Sequence, residues 1–263
     1  MSRFAGKVGF ITGGGTGIGL ACARALAEGG AQVMLAGRRE DVVRQAAEEL
    51  GPNAGAVVCD VTDTRAVEAA VQATVDRLGP LRMAVNAAGM GSVGTVLNAS
   101  TEDFANTLDT NLTGVFRCMK AEARAMKAAG GGSIVNVSSI AAVLTHRYMT
   151  AYCVSKAALD MLTRCAADDL GQYGIRVNAV RPGLVDTDLA TPLTHNPAAS
   201  EDYLRCMPIS RIGKPEDIGA LVAFLVSDEA DWITGQCVGA DGGHTLRRGP
   251  NLVSLFRQFL PEE

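Results

Sequence analysis

A chain of 263 residues with 48% apolar and 20% charged residues is long and apolar enough to bury one large α/β core, which excludes a disordered tail or a low-complexity polymer. Lys and Arg total 24 against 28 Asp and Glu, a formal charge of -4, and aromatics make up 5%, so the basic footprint and stacking platforms of a nucleic-acid binder are both missing. No run approaches the roughly 18 consecutive apolar residues of a membrane span, and the first apolar stretch, Val8 to Ile11, runs straight into glycines rather than a secretory cleavage site. A soluble, cytoplasmic protein with no nucleic-acid or membrane partner is expected.

Short apolar runs alternate with helical patterns from end to end. In chain order the runs Val8–Thr12, Val33–Ala36, Ala56–Cys59, Met83–Asn86, Ile134–Val137, Val177–Val180 and Cys237–Ala240 read as seven buried strands. Helical period fills the intervals at Ile18–Glu28, Glu40–Leu50, Arg65–Leu78, Glu102–Ala129, Tyr152–Gln172 and Pro215–Ser227. Gly29, Gly51, Gly79, Gly130 and Gly174 stand where these helices should stop. The alternation predicts one α/β domain over 1–263, a seven-stranded parallel sheet flanked by helices on both faces. The irregular stretch 186–211 is long for a strand-to-helix connection and reads as a lid over a site at the C-terminal edge of the sheet. The seven cysteines have irregular spacing and no C-x-x-C, and His146, His195 and His244 lie far apart. Free thiols and no metal are the expectation.

The first strand ends in Gly13, Gly14, Gly15, Thr16, Gly17, Ile18 and Gly19, where a helix begins. Such a turn lets backbone approach a pyrophosphate, and the helix start offers it unpaired N–H groups and a positive dipole end. After the second strand, Gly37 fills the slot where a carboxylate would hold the ribose of NAD(H), and Arg38 and Arg39 follow. Guanidinium forks suit a 2′-phosphate, so NADP(H) is expected in preference to NAD(H), which stays possible. Glu40 reads instead as the acidic start of the next helix.

Tyr152 and Lys156 are four residues apart in a helical stretch and share a face. An ammonium beside a phenol favours the phenolate, which suits proton exchange with a carbonyl or alkoxide oxygen. Ser139, just past the strand Ile134–Val137, offers a hydroxyl to the same oxygen.

Taken in order, Thr12-Gly13-x-x-x-Gly17-x-Gly19, Asp60, Asn86-Ala87-Ala88-Gly89, Asn111, Ser139, Tyr152-x-x-x-Lys156 and Pro182-Gly183 resemble the short-chain dehydrogenases/reductases, in particular their 3-oxoacyl-carrier-protein reductase-like members. The resemblance runs from Lys7 to Gly243 and implies a single-domain Rossmann fold. It also implies NADP(H)-dependent interconversion of a ketone and a secondary alcohol, with Tyr152 as general acid/base. Ser139 would position the substrate oxygen, Lys156 would hold the nicotinamide ribose, and Asn111 would anchor a water continuing the proton relay. Asp60 and Val61 would meet the adenine, Asn86, Ala88 and Gly89 the ribose side, and Pro182, Gly183, Val185 and Thr187 the nicotinamide end. Epimerisation or dehydration on the same scaffold, and non-catalytic dinucleotide sensing, are the alternatives. Ala87 departs from the family's usual second Asn.

The substrate is expected to be a small carbonyl or alcohol, mainly hydrophobic, among Met90, Gly91, Ser92, His146, Arg147, Met149 and the lid. The resemblance further implies a homodimer or homotetramer paired through the Glu102–Ala129 and Tyr152–Gln172 helices. Beyond Gly243 the chain continues past the usual end. There Leu252, Leu255, Phe256, Phe259 and Leu260 form one helical stripe, with Asn251 as cap between Pro250 and the terminating Pro261. This extension, about 245–263, is too short to be helical alone and is expected to bury its stripe near the lid or across an interface.

Overall fold

The computed structural model describes residues 2–249 and 252–256. Seven strands, β1 (Val8–Thr12), β2 (Gln32–Gly37), β3 (Ala54–Val58), β4 (Leu81–Asn86), β5 (Gly132–Val137), β6 (Ile175–Pro182) and β7 (Cys237–Ala240), form one sheet in the order β3-β2-β1-β4-β5-β6-β7. Every neighbouring pair is parallel. Chain direction across the sheet reverses between β1 and β4, and the crevice at that switch point is where such sheets bind ligands. The fold is the expected Rossmann type.

Helices cover both faces because the strands are apolar on both sides. On one face α1 (Gly17–Glu28), α2 (Glu40–Leu50) and a late helix, α9 (Pro215–Val226), bury Leu26, Val43 and Val222 against Val33, Leu35 and Val135. On the other, α3 (Thr64–Leu78), α5 (Gly114–Ala128) and α6 (Thr150–Gly171) bury Val67, Cys118, Met119 and Leu159 against Phe10, Ala84 and Ile134. Glycines end α1, α2 and α3 as expected.

Two elements differ from the sequence reading. The single helix expected over Glu102–Ala129 is divided into α4 (Thr101–Leu108), a π-helical turn (Asp109–Thr113) and α5. The wider turn accommodates one extra residue without breaking the helix, and such turns gather at functional sites. The stretch 186–211 holds two helices, α7 (Thr191–Thr194) and α8 (Pro197–Cys206). Asn196 caps α8 by accepting the N–H of Ala199 at 3.0 Å.

A third, smaller core joins this segment to the chain's end. Ala199, Tyr203 and Met207 from α8 and its exit pack with Tyr148, Leu184, Leu252, Leu255 and Phe256. A short helix, α10 (Val253–Phe256), carries the last of these. Phe259, Leu260 and the flanking Pro250, Asn251 and Pro261 of the expected stripe lie outside the described residues. Arg248 ties the same region down by donating to Asp202 of α8 at 2.9 Å. No helix among the described residues is long and apolar enough to cross a membrane.

Candidate active site

A cleft of about 750 Å³ opens at the C-terminal ends of the strands around the switch point. Its floor is the glycine turn. A Cβ on Gly19 would lie 2.2 Å from the Gly13 carbonyl oxygen, and one on Gly13, itself at φ +64°, 2.8 Å from the Ala88 nitrogen. Only bare backbone fits there. Thr16 caps α1 in an extended conformation without a side-chain bond to the helix, so the first-turn N–H groups stay available to an anion. This cradle fits a dinucleotide pyrophosphate. Gly15, Gly17 and Ile18 line it too.

At the end of β2, Gly37, Arg38 and Arg39 line the cleft. Glu40 begins α2 and pairs with Arg44, which leaves it out of the cleft. Across from the arginines, Asp60 and Val61 follow β3. The N–H and hydroxyl of Thr62 donate to Asp60 at 2.9 and 2.8 Å. These bonds, with Arg38 and Arg117 nearby, hold the Asp60 carboxyl below its usual range. Ala88, Gly89, Pro182, Gly183, Val185 and Thr187 line the remaining wall.

At the other end stand Ser139, Tyr152 and Lys156. Ser139 opens a 3-10 turn (Ile140–Ala142), its oxygen accepting the N–H of Ala141 at 3.1 Å. It also bonds the Tyr152 phenol. Burial pushes that phenol up from its usual value of 10.0, and the Ser139 bond opposes the shift. Lys156 is buried one helical turn away, its Nζ donating to the Val137 carbonyl at 2.8 Å. Nζ lies 5.7 Å from the Tyr152 ring centroid. Burial lowers this ammonium to about 8, with Asp160 acting the other way. The expected depression of Tyr152 by Lys156 is absent from the protein alone: the ammonium is aimed at Val137, and desolvation dominates both groups.

Two expected cofactor and catalytic residues do not line the cleft. Asn86 turns its side chain into the core and donates to Glu122 at 3.0 Å and to Asn136 at 3.1 Å. Its side chain therefore does not reach the ribose side, because the buried amide is engaged behind β4. Asn111, set by the π-helical turn, accepts the Met90 N–H at 2.8 Å and donates to the Met90 carbonyl at 2.9 Å and to Ser155 at 3.2 Å. It fastens the loop after β4 to α6. Sequence reasoning missed Ser155 in this role, as one more small residue on a helix.

Among the residues expected around a substrate, Met90, Gly91, His146 and Met149 line the cleft. Ser92 instead accepts the Tyr152 N–H at 3.1 Å, and the exposed Arg147 lies over the Tyr148 ring at 5.1 Å. His146 bonds the Leu144 carbonyl at 2.8 Å through Nδ1, and burial lowers its pKa, so it is neutral at pH 7. Ile140, Leu184, Leu189, Leu193 and Tyr203 complete this end; the scattered spacing of the last three concealed the wall they form. No cluster of three or more His, Cys, Asp or Glu among the described residues could hold a metal.

Residues 13–245 match the family model described as enoyl-(acyl carrier protein) reductase. The chain is a short-chain dehydrogenase/reductase. As a member of that family it is an NAD(P)-dependent oxidoreductase. This short-chain dehydrogenase/reductase is 36% identical to a galactitol 2-dehydrogenase (L-tagatose-forming) of Cereibacter sphaeroides, over 93% of this chain and 97% of that one. It is 39% identical to a trans-4-hydroxycyclohexanecarboxylate dehydrogenase of Sinomonas cyclohexanicum, over 95% and 96%. The structure of a short-chain type dehydrogenase/reductase from Mycobacterium ulcerans superposes with a TM-score of 0.94 at 39% identity, covering 97% of this chain and 96% of that one.

Proposed function

We propose that the protein interconverts an uncharged, largely apolar ketone and its secondary alcohol with NADP(H). The observation that carries this reading is the meeting of Ser139, Tyr152 and Lys156 at the apolar end of a glycine-floored cleft. A bound dinucleotide supplies or accepts the hydride. Tyr152 gives its phenolic proton to the carbonyl oxygen in reduction and takes it back in oxidation, and Ser139 hydrogen-bonds the same oxygen as its charge develops. Lys156, with a pKa near 8, exchanges protons near neutrality and so can restore the phenol, besides holding the ribose. With its side chain taken up by Met90 and Ser155, Asn111 would anchor the water of the returning proton through its main chain.

Arg38 and Arg39 favour the 2′-phosphate, while Gly13, Gly17 and Gly19 take the pyrophosphate and Asp60 and Val61 the adenine. Val185 and Thr187 contact the carboxamide. With His146 neutral and Arg147 turned outward, no guanidinium or imidazolium faces the substrate end, which suits an uncharged alicyclic ketone or alcohol better than an anion, the carboxylate named for the Sinomonas relative included. Half-exposed Phe116 on α5, with Val154 and Met161 on α6, forms an apolar face through which we expect homodimers or homotetramers.

The test follows NADPH absorbance over a panel of cyclic and acyclic ketones. Tyr152→Phe keeps the ring, so it is expected to bind NADPH normally while turnover falls at least about 10²-fold. Near-normal turnover in that variant would overturn the assignment.

A further inference from the structure

The core behind the cleft holds a carboxyl group that this reaction does not use. Glu122 on α5 is completely buried. Its Oε2 accepts the Asn86 amide at 3.0 Å, Asn86 also donates to Asn136 at 3.1 Å, and Asn136 donates to Thr163 at 3.0 Å. Four polar side chains thus run from α5 through β4 and β5 to α6. Two buried oxygens in this row have no partner, Oε1 of Glu122 and Oδ1 of Asn86. They belong to the two groups already joined by an N–H···O bond. Two orphaned acceptors can satisfy one another only if one carries a hydrogen, and a carboxyl can carry it where an amide oxygen cannot.

We propose that Glu122 is a neutral carboxylic acid whose Oε1–H donates to Asn86 Oδ1, closing a two-bond ring that fixes the end of β4. From that end Ala87, Ala88 and Gly89 enter the cleft. Glu122 is therefore a positioning residue for the dinucleotide site, a role that rests on the function proposed above.

The charges around it agree. The neighbouring thiols of Cys59, after β3, and Cys118, on α5, are held protonated by burial and supply no countercharge. Arg117 pairs with Asp109 at 2.9 Å. From α6, Asp160 pairs with Arg181 at 2.7 Å and Lys156 is bound to the Val137 carbonyl. With no countercharge supplied, burial raises the carboxyl to about 8, opposed only by the Asn86 bond. A folded pKa raised this far means that the unfolded chain releases a proton which the folded chain keeps. The stabilising contribution is complete below the unfolded carboxylate pKa and is lost as pH rises through about 8. Above that, ionisation removes the Oε1–H···Oδ1 bond and sets two bare oxygens against each other, so the ring opens on one side while Asn86 Nδ2 still donates to Oε2 and to Asn136.

The experiment compares wild type with Glu122→Gln, whose amide makes the same two bonds at every pH. At pH 7 the infrared spectrum of the wild type is expected to show a protonated-carboxyl stretching band that Glu122→Gln lacks and that fades as pH is raised. The variant should melt level with wild type at acid pH and increasingly above it toward pH 9. The ratio of wild-type to variant Kd for NADPH should rise by at least about threefold from pH 7 to pH 9.5. Absence of the band, a Glu122→Gln protein that fails to fold, a pH-independent melting difference, or a constant Kd ratio would each overturn the proposal. If NADPH bound neither protein at any pH, the proposed cofactor and the positioning role would both be refuted, while the band and the melting difference would still decide the ring.

Discussion

Two guanidiniums at one end of the cleft and one ammonium at the other carry most of what single substitutions can test. If Arg38 and Arg39 grip a 2′-phosphate, changing both to Ala removes charged hydrogen bonds of roughly 1.5–3 kcal/mol each. Titration with both dinucleotides should then show NADPH weakened at least about tenfold relative to NADH; equal losses would assign the pair to the solvent. Lys156 offers a pH test. Its folded pKa, about 8, lies below the ordinary 10.5, so between these values the unfolded chain holds a proton that the folded chain has lost. Wild-type stability should therefore rise relative to Lys156→Met from pH 8 to pH 10.5, read from melting curves. An unchanged gap would mean that the ammonium is not desolvated. Tyr152, Lys156 and the glycines were legible in the sequence because their spacing is itself the chemistry: one helical turn, and no Cβ. The inward turn of Asn86 was not. Its partner Glu122 lies 36 positions on, and a lone Glu on a helix reads as surface.

Helices were legible where apolar period was strong and capping clear. The division of α4 from α5 was hidden because a π-helical turn adds one residue while apolar residues continue on both sides, so the pattern shifts phase without a breaker. In α8 the buried positions are Ala199, Tyr203 and Cys206, a stripe with little apolar weight; Asn196 followed by Pro197 was the available start signal. Three residues of the tail stripe, Leu252, Leu255 and Phe256, are buried against this helix. Deleting residues 252–263 uncovers Tyr203 and Met207, and each large apolar side chain lost from a core typically removes about 2–5 kcal/mol. We expect the melting temperature to fall and substrate KM to rise at least about threefold, with NADPH binding little changed because the glycine turn is remote from the cut. A truncated protein with unchanged melting and KM would separate the tail from the lid.

For the whole molecule, sheet order followed from the alternation of strands and helices, whereas assembly depends on surfaces whose partners a single chain does not contain. Phe116 is 50% exposed and Met161 55%, large values for apolar side chains on neighbouring helices. Replacing both with Asp should convert a dimer or tetramer into monomers by light scattering, with the far-ultraviolet circular dichroism preserved; a wild type that is already monomeric would refute the pairing. The third core bears on how this enzyme can be re-engineered. Its members come from the approach to α6, the exit of β6, α8 and the chain's end, more than a hundred positions from Tyr148 to Phe256. A graft of the segment after β6 alone would treat that segment as a self-contained cassette. Here such a graft would bring one half of a fitted surface and leave the other half behind, so the donor's lid would meet the recipient's tail. Transplanting substrate range onto this scaffold therefore calls for a two-piece exchange, 186–211 together with everything after 244, chosen from the same donor.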